Sequence, residues 1–285
     1  MAPTVLCVID GLRPDILRPD SDRHDSDRPD SDRPDSDRPG SDRPGALPSE
    51  TPVLDALMAR GRATLTARSV MPTVTLPCHM SIFHSVEPGR HGVVTNMWTP
   101  QVRPVPGLFD VARAAGLRTA AYYNWEELRD LWRPGALATG YYWYDNKSPD
   151  GDARITQAAA EGLRAYEVDL AFVYLGHVDE AGHRYGWLSP GYLDAVANAD
   201  ACIGMLVEAL GPEGTLLVTA DHGGHDRSHG TDADVDMLVP LIIAGAGVAE
   251  AGSLGEGASL LDVAPTIATL HGLPIPDEWE GRNLL

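Results

Sequence analysis

The sequence predicts an α/β fold: a mostly parallel central sheet sandwiched between helices, in a single domain over residues 1–285. Two observations carry that expectation. Segments that read as strands, beginning with the buried-type run Thr4–Ile9, alternate along the chain with segments that read as helices. The connections between successive strands are long, as crossovers between parallel neighbours must be. With 285 residues there is enough chain for one large core.

The elements follow in order. Thr4–Ile9 is a strand, and Asp10-Gly11 stands at its end. A helix is expected over 51–60, with Pro52 at its first position and Gly61 as its stop. Further strands are expected at 63–68, 117–123, 169–175, 215–220 and 239–244. Further helices are expected at 77–84, 107–115, 152–166, 190–210 and 260–271. Residues 21–45 interrupt this pattern with five tandem copies of Ser-Asp-Arg-x-(Asp/Gly). No apolar residue occurs in those copies to offset the entropy cost of ordering the backbone, so 18–45 reads as a disordered surface insertion. A period of five is also too short for a packed solenoid.

Composition narrows the partners. The formal net charge is −19, and nine Asp against six Arg in 18–45 account for only a small part of it. The acidity belongs to the remaining sequence and argues against a nucleic-acid-binding surface or docking on anionic lipid. Lys147 is the single lysine; the other basic residues are arginines. Cys7, Cys78 and Cys202 are few, odd in number and far apart, which is no disulfide framework. Met1 runs into the first strand with no basic n-region, and the apolar run from Met237 to Ala249 is too short to span a bilayer and broken by Pro240. The expected location is the cytoplasm, with no membrane association. Oligomeric state is not legible.

Chemistry concentrates in four segments. Asp10 ends the first strand. Thr73-Val-Thr75-Leu-Pro77-Cys-His79 opens a helix whose free N–H groups favour an anionic ligand. Asp179-Glu-Ala-Gly-His183 sets a carboxylate and an imidazole four residues apart, facing one way if the turn is helical. Asp221-His222 follows the apolar run Thr215–Ala220, and His229 comes seven residues later. Ligands of parallel sheets gather at the carboxyl ends of strands, where Asp10, Asp179 and Asp221 all fall. Three Asp, three His and one hydroxyl suffice for two divalent cations about 4 Å apart. Each segment alone has an ordinary reading as a turn or capped loop; their joint appearance points to a site.

Together with Pro88-Gly-Arg-His-Gly92…Asn96, these motifs make the chain resemble the alkaline phosphatase superfamily, in its type I phosphodiesterase/nucleotide pyrophosphatase branch, over nearly all residues outside 18–45. The resemblance implies an alkaline phosphatase-like three-layer α/β/α fold. It implies one metal ion held by Asp179, His183 and His229, and a second by Asp10, Asp221 and His222. Thr75 is implied as both ligand and nucleophile, with Asn96 bonding a phosphoryl oxygen. The expected activity is metal-dependent hydrolysis of phosphodiester or nucleotide pyrophosphate bonds in small-molecule substrates, through a phospho-threonine ester. Zn²⁺ suits the ligands best, and Mn²⁺ or Fe fits the same set. Alternatives are a phosphomonoesterase or phosphonate hydrolase, a phosphomutase (disfavoured because no inserted stretch is long enough for a capping domain) and a non-catalytic metal-binding module. A sulfatase is disfavoured because Thr75 cannot become formylglycine and the Arg of the sulfatase motif is absent.

Several neighbours are assigned bland duties. His79, His84 and His91 read as structural, and Cys78 as packing. His225 and Asp226 divide evenly between a supporting role and a surface loop, as does His177 between a supporting role and core. The aromatics at 122–125 and 141–144 read mainly as core, with a nucleobase or leaving-group wall as the minority reading.

Overall fold

The computed structural model describes residues 2–17, 51–248 and 250–285; the repeat at 18–45 lies outside the described residues. Eight strands form one sheet: β1 (Thr4–Ile9), β2 (Arg62–Arg68), β3 (Thr119–Tyr123), β4 (Thr139–Tyr142), β5 (Leu170–Leu175), β6 (Thr215–Thr219), β7 (Leu238–Gly245) and β8 (Gly252–Ser253). Their spatial order is β4-β3-β5-β1-β6-β7-β2-β8. The run β4, β3, β5, β1, β6 is parallel throughout, whereas β7 runs antiparallel to both β6 and β2. The sheet is thus mostly parallel, as expected, with a mixed edge.

Burial follows position in the sheet. Every residue of β1, β5 and β6 is buried, as central parallel strands covered on both faces require. The outer strand β2 is mostly half-buried or exposed and β4 alternates, as sheet margins do. Nine α-helices among the described residues surround the sheet: α1 (Pro52–Arg60), α2 (Thr75–His84), α3 (Pro88–His91), α4 (Leu108–Ala114), α5 (Pro149–Ala165), α6 (His177–Tyr185), α7 (Pro190–Leu210), α8 (Asp234–Met237) and α9 (Val263–Leu270). Helices α1, α5 and α6 all pack on α7, while α2, α4 and α9 pack on one another, giving two helical groups about the sheet.

The differences from the expected elements have local causes. β4 and β8 are four and two residues long, too short for a period to show. Helix α2 begins at Thr75 rather than at residue 77, because Pro77 sits in the first turn, where no intrahelical donor is needed. Helix α5 begins at Pro149, since the Ser148 Oγ accepts from Gly151 N at 3.3 Å and caps it. The stretch 177–185, whose form the sequence left open, is a helix. The expected helix 260–271 is a 3-10 turn, Leu260–Asp262, running into α9. All three cysteines are free and buried.

Register places the chemistry. Ile9 of β1 pairs with Leu175 of β5, and Val8 with Thr219 of β6. The three central strands therefore end level, and the residues following each enter one region above the carboxyl edge.

Candidate metal centre

Asp10 leaves β1 with its N–H still bonded to Leu175 O at 3.0 Å, so the ladder holds its backbone. One carboxylate oxygen, Oδ2, accepts from the buried Tyr174 hydroxyl, and Oδ1 has no hydrogen-bond partner although it is buried. Gly11 follows with φ +69°, and a Cβ there would sit 3.0 Å from the Asp179 Cα. Only glycine supplies both that backbone angle and that clearance. The Gly11 carbonyl accepts from Trp187 Nε1 at 3.0 Å and from Tyr192 Oη at 2.9 Å, anchoring the turn beneath the cluster.

Asp179 and His183 stand one turn apart on α6, as the i, i+4 spacing allows, with Asp179 Oδ2 3.4 Å from His183 Nε2. Asp179 Oδ1 is 3.6 Å from His229 Nε2 and unpartnered. Asp221 accepts from Gly11 N at 3.2 Å and from His222 N at 3.0 Å through Oδ1, leaving its buried Oδ2 without a partner. His222 Nε2 lies 3.3 Å from Asp10 Oδ1 and 3.5 Å from Asp221 Oδ2. Thr75 Oγ1, at the start of α2, lies 3.4 Å from the same nitrogen. The structure therefore brings Asp10, Thr75, Asp179, His183, Asp221, His222 and His229 together.

Asn96 stands on an exposed loop, yet its Oδ1 accepts from Leu76 N at 3.0 Å. The bond ties the loop to the first turn of α2, one residue from Thr75.

The donor set fits divalent cations. Each of the three histidines turns Nδ1 to a backbone carbonyl: His183 to Arg227 O at 3.0 Å, His222 to Gly223 O at 2.8 Å and His229 to Thr73 O at 2.7 Å. A carbonyl only accepts, so Nδ1 carries the proton and Nε2 presents a lone pair to the cluster. His183 Nε2 and His229 Nε2 are 3.2 Å apart. Two ring nitrogens at that distance, facing three orphaned carboxylate oxygens, call for positive charge between them, from a bound cation or else from a proton on His183. Two groups have ligand atoms mutually within 4.8 Å: Asp179, His183 and His229, and Asp10, Asp179 and His222. Asp179 thus reaches both groups instead of only the first.

Protonation tendencies describe the same charge problem. Burial, then the Asp221 and Asp179 charges, hold Asp10 well above the usual carboxylate range. Burial pushes Asp221 to about 7. Burial also pushes Asp179 up, but its His183 bond and the neighbouring imidazoles outweigh it and leave it lowered. His183 is raised to about 9, chiefly by that bond to Asp179. Burial and then the His222 charge lower His229 to about 4.

The other singled-out residues find definite places. His84 and His91 are buried and locally bonded, Nδ1 of His84 to Met80 O at 3.0 Å and Nε2 of His91 to Ser81 Oγ at 3.1 Å. His79 bonds Thr75 O at 2.8 Å and lies 3.6 Å from Asp221 Oδ2, so it touches the cluster from below. Cys78 is packed against Ser69 Oγ at 3.3 Å, and burial pushes its thiol far up. His225 is no free surface residue: Nδ1 bonds the buried Asp236 at 2.8 Å. His177 is half-buried and its Nδ1 has no partner. Tyr122 is buried, whereas Tyr142, Trp143 and Tyr144 are exposed, with Arg154 stacked 3.7 Å over the Trp143 ring.

Sequence reasoning missed Tyr174 and Asp152. Tyr174 sits in the apolar strand β5 and Asp152 in the polar first turn of α5; packing brings the first to Asp10 and the second to the start of α6. Asp152, on α5, accepts from Asn124 Nδ2 at 2.8 Å, Gly176 N at 3.0 Å and His177 N at 3.3 Å. It thereby caps α6, the helix bearing Asp179 and His183.

Fold and site together define a three-layer α/β/α protein with an alkaline phosphatase-like fold and an Asp/His cluster able to hold metal at the sheet's carboxyl edge. The chain belongs to the type I phosphodiesterase/nucleotide pyrophosphatase family, whose profile matches residues 42–237. It is 40% identical over 150 residues to a 2,3-bisphosphoglycerate-independent phosphoglycerate mutase from Desulforudis audaxviator, a match covering 50% of this chain and 28% of that protein. The shared portion is therefore only about a quarter of such relatives' length. Among solved structures, a variant of the alkaline phosphatase PafA superposes with a TM-score of 0.76 at 12% identity, covering 99% of this chain and 98% of that one. Murine ectonucleotide pyrophosphatase/phosphodiesterase 5, in an inactive form with AMP, superposes at 0.73 and 15% identity, covering 98% of each chain. Among the described residues, no helix is long and apolar enough to cross a membrane.

Proposed function

We propose that this protein hydrolyses phosphate esters, with phosphodiester or nucleotide pyrophosphate bonds as its targets and Thr75 as nucleophile. The observation that carries the reading is the placement of Thr75 Oγ1 at the head of α2, 3.4 Å from His222 Nε2 and beside three carboxylates with unpartnered oxygens. Family membership and the AMP-bound neighbour support it.

In this reading Asp10, Asp221 and His222 hold one divalent cation and Asp179, His183 and His229 the other, with Thr75 completing the set and Zn²⁺ the best match. Such cations supply charge that acidifies the threonine hydroxyl and offsets negative charge on the attacking and leaving oxygens. The Thr75 oxygen bonds to phosphorus as the bond to the leaving oxygen breaks, and water then cleaves the phospho-threonine ester. Asn96, aligned through its carbonyl by Leu76 N, turns its amide N–H toward a phosphoryl oxygen. The protein's share of the work is positioning and charge stabilisation, because the phosphoryl group needs little else.

The test is Thr75→Ala in zinc-loaded protein, with kcat/KM for bis-p-nitrophenyl phosphate, p-nitrophenyl phosphate, a dinucleotide and phosphonoacetate. A loss on the order of a thousandfold is expected, together with a phosphorylated Thr75 peptide from acid-quenched wild type. Near wild-type turnover by the metal-loaded variant would reject the assignment. A second reading, phosphomutase, is favoured by the mutase relatives. It requires that phosphate be returned to a second hydroxyl, so interconversion of phosphoglycerates without release of inorganic phosphate would select it.

A further inference from the structure

The segment that carries Asn96 differs from the rest of the chain. From Pro88 to Phe109 there is no carboxylate, while Arg90 and Arg103 are present, in a protein of net charge −19. The loop between α3 and α4 is tied at several points. Arg90 Nη1 donates to Arg103 O at 2.8 Å, Thr99 Oγ1 to Gly92 O at 3.2 Å and Val105 N to Gln101 Oε1 at 2.8 Å. The bond from Leu76 N to Asn96 Oδ1 makes a fourth tie, to the nucleophile helix. Despite these restraints, Val94 is 51% exposed, Met97 74%, Trp98 43% and Val102 97%. A tethered loop that keeps four large apolar side chains in water, next to a proposed phosphoryl-binding amide, marks a binding surface.

We infer that residues 94–102 form an apolar lip that receives one ester arm of the substrate, so that the preferred substrates are amphiphilic phosphodiesters with an alkyl or aryl arm. The inference rests on the phosphoester reading above. Two features of the loop select this occupant. Met97 and Trp98 directly follow Asn96, so an arm extending from a phosphoryl group held there meets apolar surface. The lip is also free of carboxylates, which suits an anionic phosphate joined to a neutral arm and gives no partner to a cationic one.

Full burial of a methylene favours binding roughly fourfold, from about 0.8 kcal/mol. A one-sided lip covers about half of an alkyl chain and predicts roughly twofold per methylene. Between methyl and hexyl p-nitrophenyl phosphate, kcat/KM should therefore rise by about 30-fold. The Met97→Ser/Trp98→Ala double variant should reduce that ratio to below about threefold, with thermal unfolding used to confirm that it folds. Isothermal titration of Thr75→Ala with the same two diesters reads the lip without turnover, and Kd should fall with chain length in parallel. Hydrolysis of the methyl diester with a flat chain-length profile in both assays would overturn the lip while leaving the phosphoesterase reading intact. Chain-length-dependent binding with no hydrolysis of any diester would support the lip and reject that reading. A flat profile accompanied by sedimentation on phosphatidylcholine vesicles, lost in the double variant, would overturn the inference in favour of a membrane-docking loop.

Discussion

Replacing Asp221 by Asn should stabilise the cation-free protein at alkaline pH while weakening its response to zinc. The side chain is fully buried, and burial raises its carboxyl from 3.8 to about 7. A folded-state pKa above the unfolded value means that the associated stability is complete below pH 3.8 and is lost as pH rises toward 7. The full loss is on the order of 4 kcal/mol, and more than half of it falls between pH 5 and pH 8. Asparagine cannot ionise, and its Oδ1 can still accept from Gly11 N and His222 N, which the native Oδ1 does now. The stability difference, variant minus wild type, should therefore grow by roughly 2–3 kcal/mol from pH 5 to pH 8 in chelator-treated samples. Urea unfolding at both pH values measures it. Zinc at a hundred times Kd should then stabilise wild type by about 2.7 kcal/mol per occupied site, and the variant by clearly less. A stability difference that stays constant across the pH range would refute the view that Asp221 is a buried anion awaiting a cation.

Other perturbations test the supports of the cluster. Tyr174→Phe removes the hydroxyl that holds Asp10 Oδ2, and zinc affinity measured by chelator competition should fall by about tenfold or more; unchanged affinity would deny Tyr174 a positioning role. Gly11→Ala forces a side chain into φ +69° and to within 3.0 Å of Asp179 Cα. The angle alone costs about 1–2 kcal/mol, so the urea midpoint should drop and zinc stoichiometry with it. Asp236→Ala leaves His225 Nδ1, Thr231 N and Thr231 Oγ1 without their acceptor, at a cost of about 2–3 kcal/mol. Amide exchange over residues 222–231 should accelerate ahead of the sheet; exchange that stays uniform would show that this pair does not hold the loop.

Much of the sheet was legible because its strands are buried on both faces and its helices carry clear stops. Thr4–Ile9 and Pro190–Leu210 have the expected bounds. The short margins were illegible: Thr139–Tyr142 is a strand only because β3 lies beside it to pair with. The same distinction governs the cluster. Asp10, Asp179 and Asp221 could be anticipated from strand ends, whereas Tyr174 looks like one more apolar strand residue until its hydroxyl is seen to reach Asp10. His225 was equally open in sequence, and its pairing with Asp236 depends on how the loop before α8 folds back.

Taken alone, the sequence determined the kind of fold, the order of its central elements and the residue types available for chemistry, because periodicity, stops and motif spacing are local properties of a chain. Tertiary structure decided which polar atoms face one another: that the three imidazoles turn their Nδ1 atoms to backbone carbonyls, that Asp179 reaches both groups of ligands, and that four apolar side chains stand exposed in the loop that carries Asn96. Those outcomes depend on the level ends of β1, β5 and β6 and on contacts between residues as far apart as Gly11 and Asp221. Such contacts follow from how the strands are laid side by side, which no local pattern encodes.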